Sequence, residues 1–162
     1  MDLQELSVVD LLRTNADAID ELRRRKIVTT SNAPLGDYAE WLFRRAFKWS
    51  AAGNSAKDFD AIDSDGIKYQ IKARRLTQKN KSRQMGALRR LDEKNFDILA
   101  AVLFNDDFTI MRGALIPFTV VQRNVSRVEQ TNSWRFMLRD GVWDCSDVRD
   151  CTMELRLAQE KP

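Results

Sequence analysis

The sequence predicts an α/β sandwich: a mixed β-sheet with helices packed on it. Three observations carry that reading. Two N-terminal stretches repeat apolar residues at helical spacing, residues 59–74 alternate with period two around a glycine turn, and two long apolar runs follow beyond a basic stretch. With 162 residues and 43% hydrophobic content, the chain suits one domain with its own core.

In order along the chain, Ser7 with Asp10 resembles a capping box. Val8, Leu11, Leu12, Ile19 and Leu22 then recur at helical spacing, which predicts helix over 7–25 within an N-terminal helical segment, 5–26. Thr14 and Asp17 offer a second cap, so the stretch is either one helix or two short ones meeting near Asn15. Asn32 and Pro34 announce the next helix, which runs to about Trp49 with Leu42, Phe43, Ala46 and Phe47 as its buried stripe. At 100° per residue, Glu40 lies about 60° from Phe43 and about 20° from Phe47, so its carboxylate either points inward with the aromatics or swings out to pair with Arg44.

"DFDAID" and "IKYQIKAR" form the hairpin, and the turn length decides which side chains meet. A two-residue Asp-Gly turn would place Asp60 opposite Ile71. A three-residue turn, with Gly66 in the left-handed conformation open to it, pairs Asp63 with Ile67, sets Asp60 opposite Gln70, and makes Lys72 the diagonal neighbour. The three-residue turn is the expectation. "FDILAAVLF" and "FTIMRGALIP" read as two central strands. Pro117 to Asn124 reads as a short helix, "WRFMLR" alternates like an edge strand, and "CTMELRLAQ" fits a strand or a final helix.

Charge and composition narrow the chemistry. The net charge is +3, and most of the surplus is local: Lys72, Arg74, Arg75, Lys79, Lys81, Arg83, Arg89 and Arg90 fall in one stretch without an acid. Such a block is either a solvated face or a surface for a polyanion. The chain has no histidine, which removes Ser-His-Asp and Cys-His nucleophilic schemes and His-ligated zinc. Cys145 and Cys151 form neither a zinc-knuckle nor a redox spacing and read as reduced thiols. No stretch approaches the roughly 18 apolar residues of a membrane span, and the expectation is a cytoplasmic protein without a membrane partner. Asp58, Asp63 and Asp65 read as turn and edge residues. Trp41, Trp49, Trp134 and Trp143 read as core or rim packing.

Asp60 and Gln70 offer the oxygen donors a hard divalent ion takes, and Glu40 can join them directly or through water. Beside such an ion, Lys72 can orient or deprotonate a water or stabilise developing negative charge. With the adjoining basic stretch, this is the inventory of phosphodiester hydrolysis.

Asp60, nine intervening residues, and then "QIK" (Gln70, Ile71, Lys72) resemble the D...(E/Q)xK signature of the PD-(D/E)XK nuclease superfamily. "GDYAEWLF" resembles that superfamily's first core helix, with Glu40 at its acidic position. The resemblance covers about residues 34–120, leaving a C-terminal extension, 121–162, outside it. It implies a restriction-endonuclease-like core with a central four-stranded mixed β-sheet flanked by helices. It also implies Mg²⁺- or Mn²⁺-dependent cleavage of DNA by Asp60, Gln70, Lys72 and Glu40, of restriction, defence or repair type. Symmetric double-strand cutting would call for a homodimer. Phe59 stands where the signature has proline, and Gln70 replaces the usual acid, which leaves the site one negative charge poorer. A non-catalytic nucleic-acid-binding module is therefore the alternative reading.

Overall fold

A computed structural model of the chain describes residues 2–53 and 59–160. Capping chemistry shapes its N-terminal third. The first helix, α1, runs unbroken over Val8–Arg24: Ser7 Oγ accepts the Asp10 N–H and donates to the Asp10 carboxylate at 2.6 Å. The second cap at Thr14 goes unused, because the Thr14 hydroxyl donates back to the Asp10 carbonyl. Val8, Val9 and Leu12 on α1 remain exposed.

The second helix, α2, spans Leu35–Phe47 and is capped by Pro34 rather than by Asn32. Asp37 in its first turn accepts the N–H groups of Thr29 and Thr30, which ties the preceding loop to the helix. The helix stops short of Trp49 because Lys48 turns left-handed, at φ 58°. That turn folds Trp49 back to stack on Tyr69, with ring centroids 3.6 Å apart.

Next come the strands Ser50–Ala51 (β1), Ala61–Ile62 (β2), Lys68–Arg75 (β3), Ile98–Phe104 (β4) and Ile110–Pro117 (β5). Helix Phe118–Arg123 (α3), the hairpin strands Val125–Val128 (β6) and Ser133–Phe136 (β7), strand Arg149–Asp150 (β8) and helix Thr152–Glu160 (α4) complete the order. The fold is α/β with a mixed central sheet of six strands, ordered β1-β2-β3-β4-β5-β8. β3 and β4 run parallel, and the other neighbours are antiparallel. The sheet exceeds the expected four strands because the two-residue strands β1 and β8 extend its two edges.

The C-terminal residues therefore belong to the sheet and its covering layer. "CTMELRLAQ" resolves as a helix, and the alternating stretch around Trp134 pairs with β6 in a separate two-stranded sheet rather than at the edge of the large one.

Two cores follow from the side-chain alternation of β3 and β4. On one face Tyr69, Ile71, Ala100 and Val102 pack under α2 and α4. On the other, Leu99, Ala101 and Leu103 meet Met85, Leu88, Phe96 and Phe136. β4, covered on both faces, is apolar throughout. Gly113 lets α4 approach β5: a Cβ there would lie 2.5 Å from Leu155 Cδ1 and 3.1 Å from Cys151 Sγ. The β3–β4 crossover carries only a short 3-10 turn, Leu91–Glu93, and is held by bridges from Gln84 to Met137 and from Leu88 to Trp134. Among the described residues, no helix is long and apolar enough to cross a membrane.

Candidate metal and nucleic-acid site

The site begins at the hairpin turn. Ser64, Asp65 and Gly66 form a three-residue turn with Gly66 at φ 82°, closed by Asp63 N–H to the Ile67 carbonyl at 3.2 Å. Asp63 accepts the N–H groups of Asp65 and Ile67 and the Tyr69 hydroxyl, so Asp63 and Asp65 are turn residues; Asp58 lies outside the described residues. The register Ala61–Tyr69 and Ile62–Lys68 brings Asp60 beside Gln70.

Regular pairing ends there, and the interruption builds the site. Asp60 N–H donates to the Tyr69 carbonyl, and the next outward donor on β3, Ile71 N–H, needs an acceptor. The Asp60 side chain supplies it: Oδ2 accepts Ile71 N–H and Gln70 Nε2, each at 2.6 Å. Two donors fix the carboxylate against β3, and Gln70 keeps its carbonyl oxygen as a further ligand atom.

Burial pushes the Asp60 carboxyl above its ordinary value, against the lowering effects of the Ile71 bond, the Lys72 charge and the Gln70 bond. Glu40, half-buried on α2, is pushed up to about 7. Burial is the largest cause, followed by the negative charges of Asp60 and Asp37, while Arg44 and Lys72 pull it down. Its carboxylate thus lies within electrostatic reach of both Asp60 and Lys72, and Arg44 Nε donates to the Glu40 backbone carbonyl at 3.3 Å.

Lys72 follows Gln70 by two residues on β3, and its stem lies over Gly86, where a Cβ would be 3.4 Å from Lys72 Cδ and 4.0 Å from Nζ. Sequence reasoning passed over Gly86. The available signal was an isolated glycine in an extended stretch, which marks a close approach.

These residues fit a hard cation. Two desolvated carboxylates destabilise each other when both are ionised, and a divalent ion between them relieves that cost; with the Gln70 carbonyl they make an all-oxygen donor set of the kind Mg²⁺ accepts together with water. Among the described residues, no three His, Cys, Asp or Glu side chains converge as a metal-binding group, so a carboxamide would have to complete the set.

The basic stretch divides in space. Arg89 and Arg90 line a cavity of about 500 Å³ together with Gln70 and Lys72. Lys79 and Lys81 are exposed on the crossover, and Arg74 Nε donates to the Ser82 carbonyl. Arg75 pairs with Asp106 at 2.7 Å and covers the Phe108 ring, and Arg83 pairs with Asp140 at 2.7 Å. The last two spend their charge within the fold. Compared with known protein families and curated proteins, the chain matches no family model and no curated protein.

Proposed function

We propose that the chain is a Mg²⁺-dependent endonuclease of the PD-(D/E)XK type, with a restriction-endonuclease-like core, that hydrolyses phosphodiester bonds of DNA. The observation that carries this reading is the Asp60 carboxylate pinned to Gln70 and Ile71 of the strand that bears Lys72, with Glu40 close enough for its titration to be raised. Nothing in a hairpin's own stability asks for a second carboxylate near a buried first one, and strongly perturbed acids mark sites held for chemistry.

In this mechanism Asp60, Gln70 and Glu40 would hold the ion, which when bound would supply positive charge at the phosphate and make a neighbouring water more acidic. Lys72, on the cavity side, orients that water and balances the charge that develops as its oxygen attacks phosphorus. The P–O bond to the leaving oxygen breaks, the proton lost by the water passes to solvent, and the leaving oxygen is reprotonated from solvent.

Purified protein incubated with supercoiled plasmid should nick it with Mg²⁺ or Mn²⁺ and leave it intact in EDTA. The second reading, a non-catalytic nucleic-acid-binding module, rests on the Gln70 amide donating to Asp60, because a neutral ligand leaves the donor set weaker. Salt-sensitive DNA binding with no nicking in either metal would favour it.

A further inference from the structure

The cavity beside Lys72 does not end at the candidate metal site. It shares Ala87, Arg89 and Thr131 with a second cavity of about 460 Å³ that runs between the crossover and the β6–β7 hairpin to Trp134 and Arg135. Together they form one groove leading away from Gln70 and Lys72. Among the described residues, the lining of both parts carries the cations Lys72, Arg89 and Arg135 and no carboxylate. This is the charge pattern of a channel for a polyanion.

A phosphate chain alone does not account for the lining. Asn95 lines the first cavity, and its buried Oδ1 has no hydrogen-bond partner among the described residues, while its amide nitrogen is fixed by donation to the Arg89 carbonyl. The orphaned atom is an acceptor, and phosphate brings no donor to it. Gln84 adds a further carboxamide along the same groove. A ligand that satisfies both features carries anionic groups on a flexible backbone and N–H donors beside them. Unpaired nucleotides do so, because their base edges are free, whereas a duplex ties up those donors in pairing and shows its outer face as phosphate. Each part of the groove also has the volume of a small-ligand pocket, large enough for an unpaired nucleotide.

We infer that the groove from Lys72 past Arg89 to Arg135 binds single-stranded nucleic acid, so that the substrate of the proposed nuclease is an unpaired strand or flap. This rests on the nuclease reading only for the cleavage step, since binding stands on the groove itself.

Fluorescence anisotropy of a labelled single-stranded oligonucleotide, and of the duplex of the same sequence, tests the inference with the full chain in EDTA. The single strand should bind at least tenfold more tightly. Arg135→Ser and Arg89→Ser should each weaken single-strand binding at least fivefold and reduce its salt slope by about 0.7. Thermal melting of each variant confirms folding, and either one alone decides if the other unfolds. Equal or tighter duplex binding, or single-strand affinity and salt slope indifferent to a folded variant, overturns the inference. Plasmid nicking alongside duplex preference would sink the groove and leave the nuclease reading; single-strand binding without cleavage in Mg²⁺ or Mn²⁺ would sink the nuclease reading and leave the groove.

Discussion

Glu40→Gln should make the metal-free protein more stable at pH 8 and change little at pH 4. The carboxyl is pushed from an ordinary 4.5 to about 7 by burial and by Asp60, so the native state holds its proton more tightly than the unfolded chain does. The stabilisation from that proton is fully present below about pH 4.5 and is lost as pH rises through about 7. At 1.36 kcal/mol per pH unit the displacement would amount to about 3.4 kcal/mol, and because the side chain is only half-buried, solvent screening reduces this to about 2 kcal/mol. A neutral isostere escapes the loss. Urea titrations in EDTA should therefore place the variant about 2 kcal/mol above wild type at pH 8, or roughly 4–8 °C higher in Tm, and nearly level with it at pH 4. A variant no more stable than wild type at pH 8 would refute the claim that burial and Asp60 hold the Glu40 carboxyl above its ordinary range.

Other outcomes follow from the same geometry. Lys72→Ala should lower metal-dependent cleavage at saturating DNA by about 10² to 10³-fold with Tm nearly unchanged, read by single-turnover kinetics beside thermal melting. Gly86→Val places branched bulk against the Lys72 stem and should cut cleavage about tenfold while metal affinity, measured by titration, holds. Gly113→Ala forces Leu155 and Cys151 away from β5 and should cost about 1–3 kcal/mol in urea denaturation, with no effect on metal binding.

The parts of the fold legible in the sequence are those set by neighbours along the chain. Gly66 and the period-two flanks determine the turn, the turn sets the register, and the register brings Asp60 to Gln70. Ser7 and Asp10 start α1 by local bonds, and the apolar run of β4 announces a strand covered on both faces. What escaped the sequence depends on distant partners. β1 and β8 are two residues each, too short for a periodic signal. β7 pairs with β6 outside the large sheet, and the crossover bridges to it from Leu88 and to Met137 just beyond it from Gln84. In the same way Arg75 and Arg83 turn aside to acids 31 and 57 residues away, which a count of basic residues does not reveal. Gly86 matters through a lysine stem on another strand, and Asn95 through an acceptor left without a donor.

The central claim is a single cation site shared by Asp60, Gln70 and Glu40. Mn²⁺ titration followed by electron paramagnetic resonance tests it most directly: one ion should bind per wild-type chain, and binding should be lost in Asp60→Asn, which keeps an acceptor for Ile71 N–H. Undiminished binding in that variant, or no bound ion in the folded wild type, would contradict the account.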